Sequence, residues 1–234
     1  MMHARWINGN LAYWDTHLRR IVNAWGPTVC KFLDDFVNAE LAGADAPLGW
    51  TVTLVEAGIG ESTITAVDAV GGQILLTTDA LENDGINMQL AGENFRLATG
   101  KPCYFGIKVK VSEATQSDIL VGLCITNTDL LAGMSDGAYF RKADGSTAMS
   151  FVLEKNTGET AGAVLTVAAN TFYILEFFFD GVNVDSFVDG VLQTRMVMTN
   201  LPDDEELTPS VQYLSGAAGV KTATIDWIRA IQFT

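Results

Sequence analysis

The chain has only two histidines, His3 and His17, and both lie close to the N-terminus. Catalysis by a Ser–His or Cys–His pair needs an imidazole beside the nucleophile inside a folded body. Dedicated zinc sites likewise depend on His and Cys ligands at set spacings. The sequence therefore argues against both kinds of chemistry, and it predicts neither a bound metal nor a cofactor.

Carboxylates are the remaining groups that could carry acid–base chemistry. Retaining glycosidases hold two carboxyl groups roughly 5 Å apart, which on one strand corresponds to acidic residues at positions i and i+4. Asp185 and Asp189 have this spacing. Asp189, however, begins an Asp-Gly pair, where the side chain of Asp typically caps a hairpin turn. We therefore interpret both as surface or turn residues and name no catalytic residue.

The acidic run 203–206 follows a proline. Clustered carboxylates can bind calcium, but this run lacks the interspersed Asn and Gly of a dedicated calcium loop. It is interpreted as a solvated acidic loop.

Cys30, Cys103 and Cys124 are an odd number of cysteines without a Cys-x-x-Cys spacing. This pattern favours free, buried thiols of a reducing compartment over disulfides or zinc ligands.

The elements that must position these residues are strands. Apolar and polar residues alternate in segments such as 50–55 and 107–111, which gives a strand one buried face and one wet face. Asp-Gly pairs, which favour the positive φ angles of type I′ hairpin turns, begin at residues 84, 136, 144, 180 and 189. The sequence predicts an all-β fold, an antiparallel β-sandwich from residue 29 to residue 234, preceded by a short N-terminal arm.

The formal charge is −14 at pH 7, which argues against nucleic acid as a partner, because nucleic-acid binding needs a basic face. No apolar run approaches the roughly 20 residues that span a bilayer. The N-terminus does not resemble a secretory signal peptide. We expect no membrane partner.

The N-terminal arm, residues 1–28, differs from the sandwich domain, residues 29–234. Residues 1–31 contain four basic residues, one acidic residue and three of the five tryptophans. Because Trp and Arg are enriched at interface hot spots, the arm is a candidate docking element. Its candidate contact residues are Trp6, Trp14, Arg19, Arg20 and Trp25. The alternative is that the indoles pack on the protein's own domain.

Two conformations of this arm are consistent with the sequence. Leu18, Ile21 and Val22 recur at helical spacing, and Gly26-Pro27 would end a helix over residues 13–24. The other conformation is an extended arm.

Three stretches of the sequence resemble concanavalin-like (laminin-G/glucanase-type) jelly rolls. They are 32–36 followed by Trp50, the hairpin 187–191, and the closing strand 225–229. Four further stretches, 100–102, 105–112, 116–123 and 201–209, resemble structural proteins encoded beside the capsid genes of tailed bacteriophages.

This resemblance implies a capsid decoration (cement) protein. Its partner would be the major capsid protein, and it would associate as a dimer or trimer at capsid symmetry axes. Such a protein is made in the cytoplasm of the bacterial host and is found on the outer surface of the virion. The catalytic relatives of this fold carry a Glu-x-Asp-x-x-Glu strand motif that is not found in this chain, so we predict that it is not an enzyme.

A carbohydrate-binding, lectin-like role on the virion surface is the alternative, since a sandwich alone does not decide function. It would bind a host glycan through aromatic side chains on a concave sheet. Tyr104, Tyr139 and Tyr173 are the candidates for those side chains; the alternative for most of them is a position in the core or at the rim of the sandwich.

Overall fold

The computed structural model describes residues 2–7, 9–16, 20–37, 39, 41–42, 46–56 and 61–234. Within them the chain forms strands and one short helix. In chain order these elements are β1 (Met2–Ile7), β2 (Asn10–Asp15), β3 (Arg20–Trp25), β4 (Val29–Asp34), β5 (Leu41–Ala42), β6 (Ala46–Pro47), β7 (Trp50–Val55), β8 (Thr63–Val67), β9 (Gln73–Thr77), β10 (Gly85–Leu90), β11 (Cys103–Val111), β12 (Ser117–Cys124), α1 (Leu130–Gly133), β13 (Gly137–Lys142), β14 (Ala148–Lys155), β15 (Gly158–Thr166), β16 (Tyr173–Phe179), β17 (Val184–Val188), β18 (Val191–Met196), β19 (Thr208–Ser215) and β20 (Thr222–Phe233).

Two large antiparallel sheets form the sandwich, which confirms the predicted fold class. The front sheet has the strand order β15-β14-β13-β12-β19-β10-β7. The back sheet has the order β18-β17-β16-β11-β20-β9-β8, and β4 pairs with the second half of β20. Both sheets combine neighbouring hairpins with strands distant in sequence, as expected of a jelly roll.

Aromatic rings connect the two sheets through the core. Phe105 and Phe177 of the back sheet stack with their centroids 5.5 Å apart, and Phe177 lies 5.3 Å from Phe151 of the front sheet. Phe140 continues the row 5.0 Å from Phe151. All four side chains are fully buried. Because successive side chains of a strand point to opposite faces, one face of each sheet lies in this core and the other face points outward.

The Asp-Gly pairs adopt two kinds of structure. At Asp189-Gly190 both φ angles are positive, as a type I′ turn requires, and the pair connects β17 to β18. By contrast, Gly85 and Gly137 are the first residues of β10 and β13. The prediction of a turn centred on Asp84-Gly85 and on Asp136-Gly137 was wrong, because each glycine already pairs in a strand, with Val55 and Leu214 or with Glu154 and Cys124.

Of the two conformations considered for the arm, the helix over residues 13–24 is absent from the described part of that segment, and the chain is extended. Strands β1, β2 and β3 form a three-stranded antiparallel sheet instead, which we call the N-terminal meander. Ala12, Ile21 and Ala24 pack in one cluster with aromatic residues of the outer face of the back sheet, such as Phe178 and Phe187. Burial on the back sheet therefore prevailed over the short helical pattern, as tertiary contacts commonly do.

No helix in the described ranges is long and apolar enough to cross a membrane.

Candidate functional site

A tight hairpin at the end of the front sheet positions two acidic side chains. Asn156 and Thr157 connect β14 to β15 and have φ angles of 50° and 67°. The amide of Asn156 donates to Oδ1 of Asp136, at 3.0 Å. Both turn residues are left-handed, as in a type I′ turn. The register that follows places Glu154 directly opposite Glu159.

The next strand places a phenol and a guanidinium beside these carboxylates. Tyr139 and Arg141 are two residues apart on β13, so their side chains leave the same face of the sheet. The hydroxyl of Tyr139 donates to Oε2 of Glu154 at 2.6 Å and also lies 3.5 Å from Oε1 of Glu159. Arg141 donates to both oxygens of Glu159, at 2.6 and 2.7 Å. Two like charges opposite each other destabilise a hairpin, and the guanidinium offsets that repulsion here.

The environments of the two carboxyl groups shift their pKa values in opposite directions. Burial raises the pKa of Glu154; the hydrogen bond from Tyr139 opposes part of this shift, and the charge of Glu159 adds to it. The bidentate bond from Arg141 lowers the pKa of Glu159. Glu154 is therefore the group that retains a proton to higher pH, and Glu159 is the group that stays ionised. Such divergence is typical of acid–base pairs in active sites.

The carboxylates line a pocket of about 80 Å³ whose other wall is helix α1. Asp129 caps this helix by accepting from the amide of Ala132 at 3.2 Å. Leu130 and Met134 are buried against Leu120 of β12 and the ring of Tyr139, which fixes the wall. We call this the Tyr139 pocket: Tyr139, Arg141, Glu154, Glu159, Leu120 and residues 130–134.

The loop 125–136 also crosses the rest of the outer face of the front sheet. Polar side chains on β10 and β19 hold it there. The Gln89 amide donates to the carbonyl of Ile125 at 3.0 Å and accepts from the amide of Asn127 at 2.9 Å. The side chain of Gln212 accepts from the amide of Leu131 at 2.7 Å and donates to Asp129 at 2.8 Å. The loop thereby covers this polar row.

The three tyrosines named from the sequence have different environments. Tyr139 belongs to the pocket. Tyr104 lies on the back sheet and donates its hydroxyl proton to Glu176 at 2.7 Å beneath the N-terminal meander. Tyr173 accepts from the amide of Ala168 at 3.1 Å. The structure does not bring the three together, so they do not form one aromatic platform.

The acidic residues weighed from the sequence have structural partners. Asp185 is buried within β17, so its interpretation as a surface or turn residue was wrong; it accepts two bonds of 2.6 Å from Arg195. Asp189 has a φ angle of 49° between β17 and β18, which confirms it as a turn residue, and its side chain accepts from the amide of Ile174 on the neighbouring strand β16 at 2.8 Å. In the run 203–206, Asp203 pairs with Lys155 at 2.5 Å and Glu206 pairs with Arg96 at 3.2 Å.

The residues proposed for docking fall into separate environments. Trp6 and Trp25 are 72% and 55% exposed. The ring of Trp14 packs edge-on against Phe178, with centroids 6.0 Å apart. Arg20 is buried and forms an ion pair with Glu176. Arg19 lies outside the described residues.

No cluster of three or more His, Cys, Asp or Glu side chains in the described part of the chain could hold a metal ion. Glu154 and Glu159 were missed because their turn is Asn-Thr rather than an Asp-Gly pair. Had residues 156–157 been interpreted as a hairpin turn, the register alone would have placed the two carboxylates opposite each other.

No family model matches the sequence, and no curated protein matches it. Solved structures match across most of the chain. A protein of unknown function from Shewanella oneidensis MR-1, SO2946, has a TM-score of 0.60 at 12% identity, covering 87% of this chain and 86% of that one. The β-glucanase of Bacillus licheniformis has a TM-score of 0.59 at 13% identity, covering 86% and 97%. A β-1,3-1,4-glucanase (lichenase) from a mouse hindgut metagenome also has 0.59, at 14% identity, covering 86% and 98%.

The chain has the concanavalin-like jelly-roll fold. Likenesses at this level of identity show the fold alone, and glycosidases share it. Nothing in these comparisons indicates a capsid decoration protein.

The prediction that the chain is not an enzyme is contradicted, because solved structures with its fold include a β-glucanase and a lichenase. The prediction rested on the missing Glu-x-Asp-x-x-Glu motif. That motif places its acidic residues along one strand, whereas Glu154 and Glu159 face each other on two strands.

Proposed function

We propose that this protein recognises a carbohydrate at the Tyr139 pocket, and that Glu154 and Glu159 give the pocket acid–base capability toward a glycosidic bond. The single observation that carries the proposal is the cross-strand pair of carboxylates bridged by one phenol, with opposite pKa shifts. The jelly-roll fold, which β-glucanase and lichenase share, supports the choice of a glycan as ligand.

The distances suit the two roles. Oη of Tyr139 is 2.6 Å from one carboxylate and 3.5 Å from the other, so these carboxylate oxygens are at most about 6 Å apart. This upper limit lies below the roughly 6.5–9.5 Å of inverting glycosidases and is compatible with the roughly 5 Å of retaining ones. Glu154, when protonated, would donate its proton to the leaving oxygen as the glycosidic bond breaks, and the Glu159 carboxylate would bond to the sugar carbon. Water would then displace Glu159 and return a proton to Glu154.

Arg141 and Glu159 would make the first contacts with a sugar. Both side chains are about one-third exposed, whereas Tyr139 and Glu154 are buried behind them. Sugar hydroxyl groups can accept hydrogen bonds from the guanidinium of Arg141 and donate hydrogen bonds to the carboxylate of Glu159. Hydrogen bonds to charged groups are stronger than those between neutral groups.

The first test uses mixed-linkage β-1,3-1,4-glucan and a panel of other glycans. Binding is measured by calorimetry, and cleavage by release of reducing ends. We expect the wild-type chain to bind, and Glu159→Gln to weaken binding by about tenfold, because one charge-assisted contact is worth about 1.5–3 kcal/mol. Glu206→Gln, which changes an exposed carboxylate of the ion pair with Arg96, is the matched control and should bind normally.

The two halves of the proposal are separable. If Glu154 is the acid, Glu154→Gln should abolish release of reducing ends while binding persists. Binding without release by the wild-type chain would contradict the acid–base half alone. Lack of binding to every glycan in the panel would contradict recognition itself.

A second proposal rests on a different observation, the exposure of Trp25. Its ring is more than half exposed, with Nζ of Lys31 3.0 Å from the ring centroid. We propose that the meander docks on the major capsid protein at the outer surface of a virion, after synthesis in the host cytoplasm. Co-sedimentation with undecorated shells tests this: Trp25→Ala should reduce binding, whereas Glu159→Gln should not.

A further inference from the structure

Strand β1 forms an open edge of the N-terminal meander. Its only described strand neighbour is β2, and the pairing from Met2 to Ile7 has no bulge. The strand also contains no proline and no lysine, and its one arginine, Arg5, lies over the ring of Trp14 in β2, 5.2 Å from the centroid. Natural proteins commonly use bulges, prolines and lysines to keep other strands from pairing with a sheet edge. An edge without them is a template for another strand.

The hairpin register determines which backbone groups of β1 are available. Ile7 pairs with Asn10 across a two-residue connection, so these two residues exchange hydrogen bonds. Because such bonds alternate along an antiparallel strand, the N–H and C=O groups of Met2, Ala4 and Trp6 point away from β2. These groups face the open edge.

The same three residues form one side-chain face. Trp6 is 72% exposed and Met2 is 67% exposed, with the small Ala4 between them. On the opposite face of β1, His3 and Arg5 are exposed as well. This part of the strand therefore extends beyond the back sheet, and another strand has room to pair with it.

We propose that β1 pairs antiparallel with β1 of a second copy of this chain, about a two-fold axis at Ala4. In this register Ala4 faces Ala4, and Trp6 of each copy lies opposite Met2 of the other. The backbone groups that face the open edge then satisfy each other, and each exposed apolar side chain meets another. A two-fold contact of this kind is self-complementary and closes at two copies.

The charge distribution favours contact through this strand. All but one of the 28 acidic residues lie beyond residue 33, so two sandwich domains repel each other. Pairing at β1 brings only Arg5 and His3 of each copy together on one face. The proposal concerns a surface separate from the Tyr139 pocket and is independent of carbohydrate binding.

Sedimentation equilibrium over a range of concentrations tests the pairing. We expect a monomer–dimer equilibrium for the wild-type chain. Ala4→Pro removes an N–H that faces the open edge, so it leaves the β1–β2 bonds intact and should raise the dimer Kd by at least about tenfold. Trp6→Lys places a charge at the contact and should have the same effect.

Tyr13→Lys is the matched control, because Tyr13 is an exposed aromatic residue on the same face of the neighbouring strand β2. It should dimerise like the wild type. Circular dichroism should show the same β signal for all three variants. A wild-type monomer at every concentration, a dimer unaffected by both edge variants, or a trimer would each overturn the proposal.

Discussion

Glu154 and Glu159 face each other as a cross-strand pair, yet their surroundings shift their pKa values in opposite directions. The difference arises from their positions relative to β13. Glu154 is buried against the phenol of Tyr139, while Glu159 reaches the guanidinium of Arg141. One hairpin register thus places a carboxyl group with a raised pKa beside one with a lowered pKa. The raised pKa of Glu154 and the lowered pKa of Glu159 therefore make the free energy of unfolding depend on pH with opposite signs.

Replacing Glu154 should reveal the first of these dependences. Because its pKa is raised on folding, the folded state holds more protons than the unfolded chain between the ordinary pKa of about 4.3 and the raised value. Its contribution to stability is therefore present at low pH and is lost as pH rises through the raised pKa. The free energy of unfolding of wild type minus that of Glu154→Gln should fall as the pH rises above about 4.3, the ordinary pKa of Glu. Urea titrations at several pH values measure this difference, and a rise would contradict the assignment.

Replacing Glu159 should give the opposite sign. Its pKa is lowered by Arg141, so its contribution is present above the ordinary Glu pKa and is lost as pH falls through the lowered value. The free energy of unfolding of wild type minus that of Glu159→Gln should decrease on acidification below about pH 4. The same urea titrations apply. A difference that stays constant over that range would show that the Arg141 bond does not hold in solution.

Gly122 controls the position of Tyr139 from the neighbouring strand. A Cβ atom at Gly122 would lie 2.5 Å from Cα of Tyr139 and would also meet the backbone oxygen of Ala138. Backbone atoms cannot give way as a flexible side chain does, so Gly122→Ala should destabilise the fold by about 1–3 kcal/mol and displace the phenol. We expect the Gly122→Ala variant to unfold at a lower urea concentration than the wild type and to bind the glycan more weakly. Gly133→Ala is the control for the unfolding measurement alone, since Gly133 lines the pocket; its Cβ would have no neighbour closer than 3.8 Å.

The sequence predicted the sandwich because its signals are local. Alternation within β11 and the Asp189-Gly190 turn are both visible within a few residues, and the structure confirms them. The candidate site depends on distant residues: helix α1 lies against Tyr139 only because β12, β13 and β19 pair in that order. No pattern in the segment 125–136 indicates that it crosses the front sheet. The role of Arg20 was missed for the same reason, since Glu176 is remote in sequence.

The reactivity of the three thiols should follow their burial. Cys103 and Cys124 are fully buried, and burial raises their pKa well above the ordinary value for a thiol. Cys30 is partly exposed, although burial raises its pKa too. Because the thiolate is the reacting form, Cys30 should be alkylated first in the native protein, and the other two only after unfolding. Mass spectrometry of peptides after timed iodoacetamide labelling measures the order, and rapid labelling of Cys103 would contradict it.

The ion pair between Arg20 and Glu176 should make the N-terminal meander part of the folded core. Both side chains are buried, and the Glu176 carboxylate also accepts from Tyr104. Arg20→Met would leave Glu176 as a buried, uncompensated charge, so we expect the free energy of unfolding to drop by about 3–5 kcal/mol. Adding Glu176→Gln removes that charge, and the double variant should be more stable than the single one.

Deletion of residues 1–28 exposes Phe178 and Phe187 as well and should destabilise the sandwich further. Urea unfolding of the four chains, wild type included, gives the order, and a truncated chain as stable as the full one would show that residues 29–234 fold independently of the meander.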